Sequence, residues 1–114
     1  MARDDYFVIV YQILSYLYKA LKSGDSVKAE YLRHDSPLFK TPISESYWQY
    51  IIKNMYKDEL ITGLSVDEID NGTLIYRLEE TQITPKGIEY LEENSMLQKV
   101  RKLLKDTKEM IPFV

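Results

Sequence analysis

The sequence predicts a mainly helical α+β domain, and three observations along the chain lead to this prediction. Apolar residues recur at helical spacing near the N-terminus and again around Trp48. Between residues 60 and 78, two short apolar segments flank Asp70-Asn71-Gly72, which is a strong tight-turn signal. Thr84-Pro85 then opens another helix, with proline at the first helical position, where its missing N–H costs nothing. This order predicts a winged helix-turn-helix with a two-stranded wing and two C-terminal helices.

The length and composition predict one domain over residues 1–114, with a core at about 4–93 and a C-terminal helical extension at about 95–114. The chain is 45% hydrophobic and 29% charged, which is ordinary for a soluble globular protein. It contains no cysteine, which excludes disulfides, thiolate metal sites and a cysteine nucleophile. The longest nearly apolar run, Phe7 to Leu14, is too short to span a bilayer, and no signal-peptide pattern follows it. We therefore expect a cytoplasmic protein without membrane contact.

The first two helices are predicted from the spacing of their apolar residues and from the glycine and prolines that end helices. The first runs from about Asp4 to Leu21 and stops at Gly24, a residue typical of helix C-termini. Its predicted stripe consists of Tyr6, Val10, Ile13, Leu17 and Leu21. Residues 26–33 predict a short second helix, and residues 34–43 predict a loop because they contain two prolines.

The third helix has the clearest predicted start. Ser44 is a good N-cap, and Ile43 can pack on Trp48 as a hydrophobic staple. The helix should end near Lys57. Its predicted buried face consists of Trp48, Ile51, Ile52, Met55 and Tyr56.

The wing and the last helices follow. A strand that begins at residues 60–62 is predicted to pair with residues 73–78, with a bend or bulge at Gly63 within the first strand. Asn94 is predicted to close the next helix in a left-handed conformation, and Ser95 to cap a last helix that runs to about Glu109. The apolar side of that helix is predicted to contain Met96, Leu97, Val100, Leu103 and Leu104.

Several segments resemble a known family. ITPKGIEYLEEN, residues 83–94, is similar to the L-T-x-K-G-x-x-Y-L segment that follows the wing in many bacterial winged-helix proteins. The runs YFVIVYQILSYLYKAL, YWQYIIKNMYKDELITG and ENSMLQKVRKLLKDTKEMI extend the resemblance to the YjcQ-like family of small bacterial and phage proteins. The resemblance implies a winged-helix fold and a bacterial or phage origin. It implies no catalytic or binding residues, because most members of that family have no assigned biochemical role.

The third helix occupies the position of a DNA recognition helix. Serine, glutamine and asparagine side chains can hydrogen-bond base edges, and lysine can contact phosphate or guanine. The alternative is a solvated polar face, which is the rule for helices on the surface of soluble proteins. The candidate DNA-binding residues are Ser46, Gln49, Tyr50, Lys53, Asn54 and Lys57.

The charge of the predicted wing opposes DNA binding by the wing itself. Residues 58–93 contain ten acidic residues and two basic ones, for a net charge of −8, and the wing tip carries Asp67, Glu68 and Asp70. Neutralisation of phosphates supplies most non-specific DNA affinity, so this wing should be repelled. Any DNA contact is expected through the third helix and the region around Arg33, His34 and Lys40.

Basic charge collects in the C-terminal segment, where residues 94–114 have a net charge of +3. Such a helix can contact DNA or a membrane surface. It can also be an amphipathic helix that packs on the first helix or on a second subunit, and mixed outer charge favours this second interpretation. The opposite charges of wing and C-terminus favour self-association.

No catalytic pattern is visible. His34 is the single histidine, no glycine-rich phosphate loop is present, and no set of metal ligands has suitable spacing. We therefore expect no enzymatic activity, metal or cofactor. The leading hypothesis is a DNA-binding or transcription-associated module that contacts duplex DNA. The alternative is a protein-interaction module, which would form a homodimer or bind a partner through the last helix and the apolar tail, residues 110–114.

Overall fold

A computed structural model describes residues 5–106 of the chain. The helices are α1 (Tyr6–Ser23), α2 (Glu45–Lys57), α3 (Pro85–Glu93) and α4 (Ser95–Asp106). The strands are β1 (Ile61–Thr62), β2 (Ser65–Ile69), β3 (Gly72–Tyr76) and β4 (Gln82–Ile83), and short 3-10 turns cover Ala29–Leu32 and Leu78–Glu80. The described part of the chain is therefore α+β and mainly helical, with two small antiparallel sheets of two strands each.

Helix α1 lies at the centre of the core and contacts the other three helices and β4. It begins at Asp5, whose side chain accepts a hydrogen bond from the Phe7 N–H, and it ends at Gly24, which has a φ of 73°. The buried stripe continues from Leu17 to Ala20 and leaves Leu21 on the adjoining side, where it is 47% exposed. The prediction that Leu21 belongs to the buried stripe was therefore wrong.

The predicted hairpin is present as β2 and β3, but the strand that begins at residues 60–62 is divided in two at Gly63. β1 pairs with β4, and β2 pairs with β3 in a hairpin whose register places Ser65 opposite Tyr76 and Glu68 opposite Thr73. Gly63, with a φ of 95°, turns the chain out of β1, so residues 65–69 rather than 60–62 lie opposite residues 72–76. The predicted bend at Gly63 and the predicted turn at residues 70–72 are both confirmed.

Two close backbone crossings hold the base of the hairpin. A Cβ atom on Gly63 would lie 2.0 Å from the Glu80 carbonyl oxygen, and one on Gly87 would lie 2.2 Å from the Leu60 carbonyl oxygen. The Thr84 N–H donates to that same Leu60 oxygen at 3.1 Å. The chain that leaves α2 therefore runs directly against the start of α3.

The predicted second helix is only a 3-10 turn of four residues. It ends at Arg33, whose ψ of 168° is extended rather than helical. The Leu32 carbonyl instead accepts the Trp48 indole N–H at 2.6 Å, in a buried contact. This hydrogen bond ties the turn to α2.

Asn94 does not adopt the predicted left-handed conformation. Its φ of −66° and ψ of 127° are extended, and its Oδ1 accepts the N–H groups of Met96 and Leu97. Asn94 therefore caps α4, and the prediction that Ser95 is the cap was wrong. An asparagine side chain satisfies two otherwise unpaired N–H groups here, which a left-handed C-terminal residue would not do.

Helix α4 packs on α1 and α3, as one of the two interpretations of the basic segment predicted. It buries Leu97, Val100 and Leu104 in the same hydrophobic core that contains α1 and α2. The predicted end near Glu109 and the apolar tail lie outside the described residues. Among residues 5–106, no helix is both long enough and apolar enough to cross a membrane.

The close crossing at Gly87 generates a stability prediction. Alanine in a helix normally stabilises a protein by roughly 0.5–1 kcal/mol relative to glycine. In Gly87→Ala the new methyl group would overlap the Leu60 carbonyl, so we expect the free energy of unfolding in urea to fall by about 1–3 kcal/mol. Lys86→Ala, at an exposed neighbouring position, is the control and should change stability by less than about 0.5 kcal/mol. A Gly87→Ala variant as stable as the wild type would contradict the close approach between Gly87 and the Leu60 carbonyl.

Candidate functional site

Helix α2 has one side buried in the core and one side that faces outward. Its N-cap is Ser44, whose Oγ accepts the Tyr47 N–H at 3.2 Å. Ile43 and Trp48 are both buried, as the staple requires. The buried side of the helix consists of Trp48, Ile51, Ile52 and Met55.

The outward side of α2 and the hairpin enclose an open groove of about 640 Å³. The hairpin contributes Val66, Glu68 and Thr73, which share one face of the β2–β3 ladder. We call this the inner face of the hairpin. The helix contributes all six candidate residues that the sequence predicted, Ser46, Gln49, Tyr50, Lys53, Asn54 and Lys57.

Tyr56 also lines the groove, although the sequence predicted it to be buried. It is 40% exposed, because the buried stripe of α2 is centred between Ile51 and Ile52 and Tyr56 lies at the rim of that stripe. Tyr50, on the same side, is 59% exposed. Two tyrosine rings are therefore accessible at the groove.

Several polar groups of the groove are engaged within the chain. Lys53 Nζ lies 2.9 Å from Glu68 Oε1 across the groove. The Gln49 amide donates to the Thr73 carbonyl at 3.4 Å, and the Asn54 amide donates to the Tyr50 carbonyl at 2.7 Å. The helix side and the hairpin side of the groove are thus linked by one ion pair and one hydrogen bond.

The Lys53–Glu68 pair is electrostatically coupled but exposed. The hydrogen bond from Lys53 lowers the pKa of the Glu68 carboxyl, and the charge of Lys53 and a hydrogen bond from Thr73 act in the same direction. The side chains of Lys53 and Glu68 are 41% and 66% exposed. Exposed ion pairs contribute little to stability, so Lys53 can exchange Glu68 for another anion at small cost.

Beside Tyr50, the groove adjoins the aromatic start of α1. The Tyr6 ring lies 6.2 Å from the Tyr50 ring in an edge-on arrangement. Burial raises the pKa of Tyr6 to about 12, with Tyr90 and Asp58 adding to the effect. Burial and Asp58 also raise the pKa of Tyr90. Both phenols therefore stay protonated well above neutral pH, and the charge on this side of the molecule comes from Asp58.

The remaining candidates lie outside the groove. Arg33 and Lys40 are exposed and His34 is half-buried, in the segment that precedes α2. The sequence could not show that Glu68 faces Lys53, because that contact depends on the hairpin register. Within residues 5–106, no group of three or more acidic, histidine or cysteine side chains is placed to hold a metal ion.

Comparison with known proteins identifies a family. The model of the family described as YjcQ protein matches residues 11–110, which confirms the resemblance seen in the sequence. Comparisons with curated proteins and with solved structures returned no match. Because the matched region covers most of the chain, this protein belongs to the YjcQ family.

Proposed function

We propose that this protein is a non-enzymatic DNA-binding module with a winged-helix architecture, in which α2 is the recognition helix and the β2–β3 hairpin is the wing. The observation that carries the proposal is the convergence of all six candidate residues on one open side of α2. A helix with serine, glutamine, asparagine and lysine on its outward side carries the groups that read base edges in a major groove. A DNA ligand implies a cytoplasmic location.

The proposed contact uses the helix and not the hairpin. Lys53 and Lys57 supply positive charge to phosphate or guanine, while Ser46 and Gln49 lie nearer the N-terminal end of α2. The hairpin carries Asp67, Glu68 and Asp70 and would be repelled by the phosphate backbone. DNA binding through α2 alone should therefore be weak, with a salt dependence limited to what two lysine contacts can give.

Glu68 acts as an internal competitor for DNA in this proposal. Its Oε1 atom lies 2.9 Å from Lys53 Nζ, and this ion pair must break before Lys53 can contact a phosphate. Because both side chains are largely exposed, the exchange needs only side-chain rotation. The Glu68 carboxylate thus lowers the affinity for DNA, and the Glu68→Gln variant tests this effect.

A second candidate function is a protein-interaction module that does not bind DNA. It is favoured by the exposed rings of Tyr50 and Tyr56 at the groove, since tyrosine is enriched in protein interfaces. A protein partner that binds at these tyrosines would not require positive charge on the hairpin. Failure of the wild type to bind duplex DNA would leave this candidate as the better one.

The first prediction concerns the lysines of α2. Lys53→Glu and Lys57→Glu should each weaken binding to a labelled mixed-sequence duplex on the order of tenfold at about 50 mM salt, since each removes one phosphate contact and adds a repulsive charge. Fluorescence anisotropy measures the affinity. Lys86→Glu, outside the groove, is the matched control for net charge and should have a much smaller effect. No binding by the wild type at that salt concentration would refute the proposal.

The second prediction concerns Glu68. Glu68→Gln releases Lys53, so the dissociation constant for the same duplex should fall severalfold at pH 7. Glu79→Gln removes one negative charge at another exposed position of the same acidic region and is the control. Equal effects of the two variants would show that only net charge matters and that Glu68 does not compete for Lys53.

The same contact predicts a pH dependence. The pKa of Glu68 is lowered, so its carboxylate stays charged and keeps Lys53 until the pH falls through that lowered value. The difference in DNA affinity between wild type and Glu68→Gln should therefore persist from neutral pH down through the ordinary titration range of a glutamate and disappear only below that range. A difference that vanished near pH 6 would contradict this assignment.

A further inference from the structure

The outer face of the hairpin is both apolar and acidic. The β2–β3 register places Asp67 opposite Leu74, and Ser65 opposite Tyr76, on the face that points away from the groove. Ile69, Leu74 and Tyr76 on this face are 52%, 48% and 40% exposed. The Tyr76 hydroxyl donates to the Asp67 carboxylate at 2.7 Å, so the ring and the charge are held side by side.

DNA binding through α2 does not account for this face. Its charge repels phosphate, and its three large apolar side chains have no role in a contact with a duplex. Exposed apolar side chains grouped on one face are typical of a surface that another protein covers. Arg77 already lies over the Tyr76 ring, with its Cζ 5.8 Å from the ring centroid, at the base of this face. The part of the face nearer the tip, with Asp67, Ile69 and Leu74, is therefore suited to a partner that offers positive charge and can shield apolar surface.

Helix α4 presents a surface of the required chemistry. Residues 95–105 contain four cationic side chains and no acidic one. All four are exposed, while the opposite side of the helix is buried against α1 and α3. The cationic side chains are Lys99, Arg101, Lys102 and Lys105.

We propose that the outer face of the hairpin in one copy of this protein docks on the basic face of α4 in a second copy. Asp67 on this face and Asp70 in the turn at its tip would then meet lysine and arginine head groups. The alkyl stems of those side chains can cover Ile69 and Leu74, because long cationic side chains bury their methylene groups on apolar surfaces. The lengths also agree, since a five-residue strand spans about 17 Å and a 12-residue helix about 18 Å.

Charge selects this pairing over the simpler stacking of two hairpins. Direct contact between two outer faces would bring Asp67 and Asp70 of both copies together, and like charges in an interface are strongly disfavoured. Hairpin-to-helix contact can be made twice between the same two molecules, which gives a closed dimer. If the second contact cannot form, the same interface produces an open chain of copies.

The test uses the full-length protein in sedimentation velocity experiments across a concentration series at about 50 mM and about 500 mM salt. Association should be present at low salt and weakened at high salt, because exposed charges are screened. The double variants Lys102→Glu/Lys105→Glu and Asp67→Lys/Asp70→Lys should each weaken self-association on the order of tenfold or more. An equimolar mixture of the two should restore it, since each reversed hairpin then faces a complementary helix.

Control variants make the result specific. Lys28→Glu/Lys86→Glu and Glu89→Lys/Glu92→Lys change net charge by the same amounts at exposed positions outside both surfaces, and they should associate like the wild type. Far-UV circular dichroism and urea unfolding should show that every variant is folded. A wild type that is monomeric at about 1 mM and low salt, or a mixture that fails to restore association, would overturn the proposal. The proposal does not depend on DNA binding, which the α2 variants test separately.

Discussion

The close crossing between the end of α2 and the start of α3 determines where the rest of the molecule can lie. After α2, Glu59 adopts a φ of 61° and the Leu60 N–H donates back to the Met55 carbonyl at 2.9 Å. The Leu60 carbonyl then meets the Thr84 N–H, with Gly87 close enough that no side chain fits between them. Both ends of the intervening segment are fixed in this way, and the hairpin between them lies with its inner face toward α2.

This crossing explains the segment that carries the family resemblance. Thr84 accepts the Gly87 N–H as the cap of α3 and donates to the Glu59 carbonyl at 2.5 Å. Pro85 begins the helix, and Gly87 permits the contact with Leu60. Thr84, Pro85 and Gly87 of the motif are therefore used in a backbone junction. That is the physical reason why the sequence identifies an architecture more readily than it identifies an activity.

The helices could be predicted because their signals are local. The Ser44 side chain caps α2 by accepting the N–H of Tyr47, which is only three residues further along the chain. Gly24 ends α1 because its own backbone is left-handed. The strands could be assigned only in part from the sequence: β3 follows the turn signal as predicted, whereas the division between β1 and β2 and the pairing of β1 with β4 did not follow from it. β1 and β4 have two residues each and meet only because the chain between them folds into a hairpin, and β2 reads SVDEI, which is too polar to stand out as a strand. Asn94 was misassigned because the same residue type ends one helix and begins another.

The candidate site shows the same division between local and long-range information. The outward side of α2 follows from helical spacing around Trp48 and Ile52, so its six residues could be identified in advance. The contact between Lys53 and Glu68 could not, because a shift of the hairpin register by one residue would point Glu68 away from the groove.

The register also divides the acidic charge of the hairpin into two parts that act differently. Glu68 faces inward and neutralises a lysine of α2, whereas Asp67 faces outward beside exposed apolar side chains. An outer face that binds a second copy of the protein has no need of basic residues. The acidity of the hairpin is then evidence against DNA contact by the hairpin alone, and DNA contact by α2 depends on whether Lys53 can be released from Glu68.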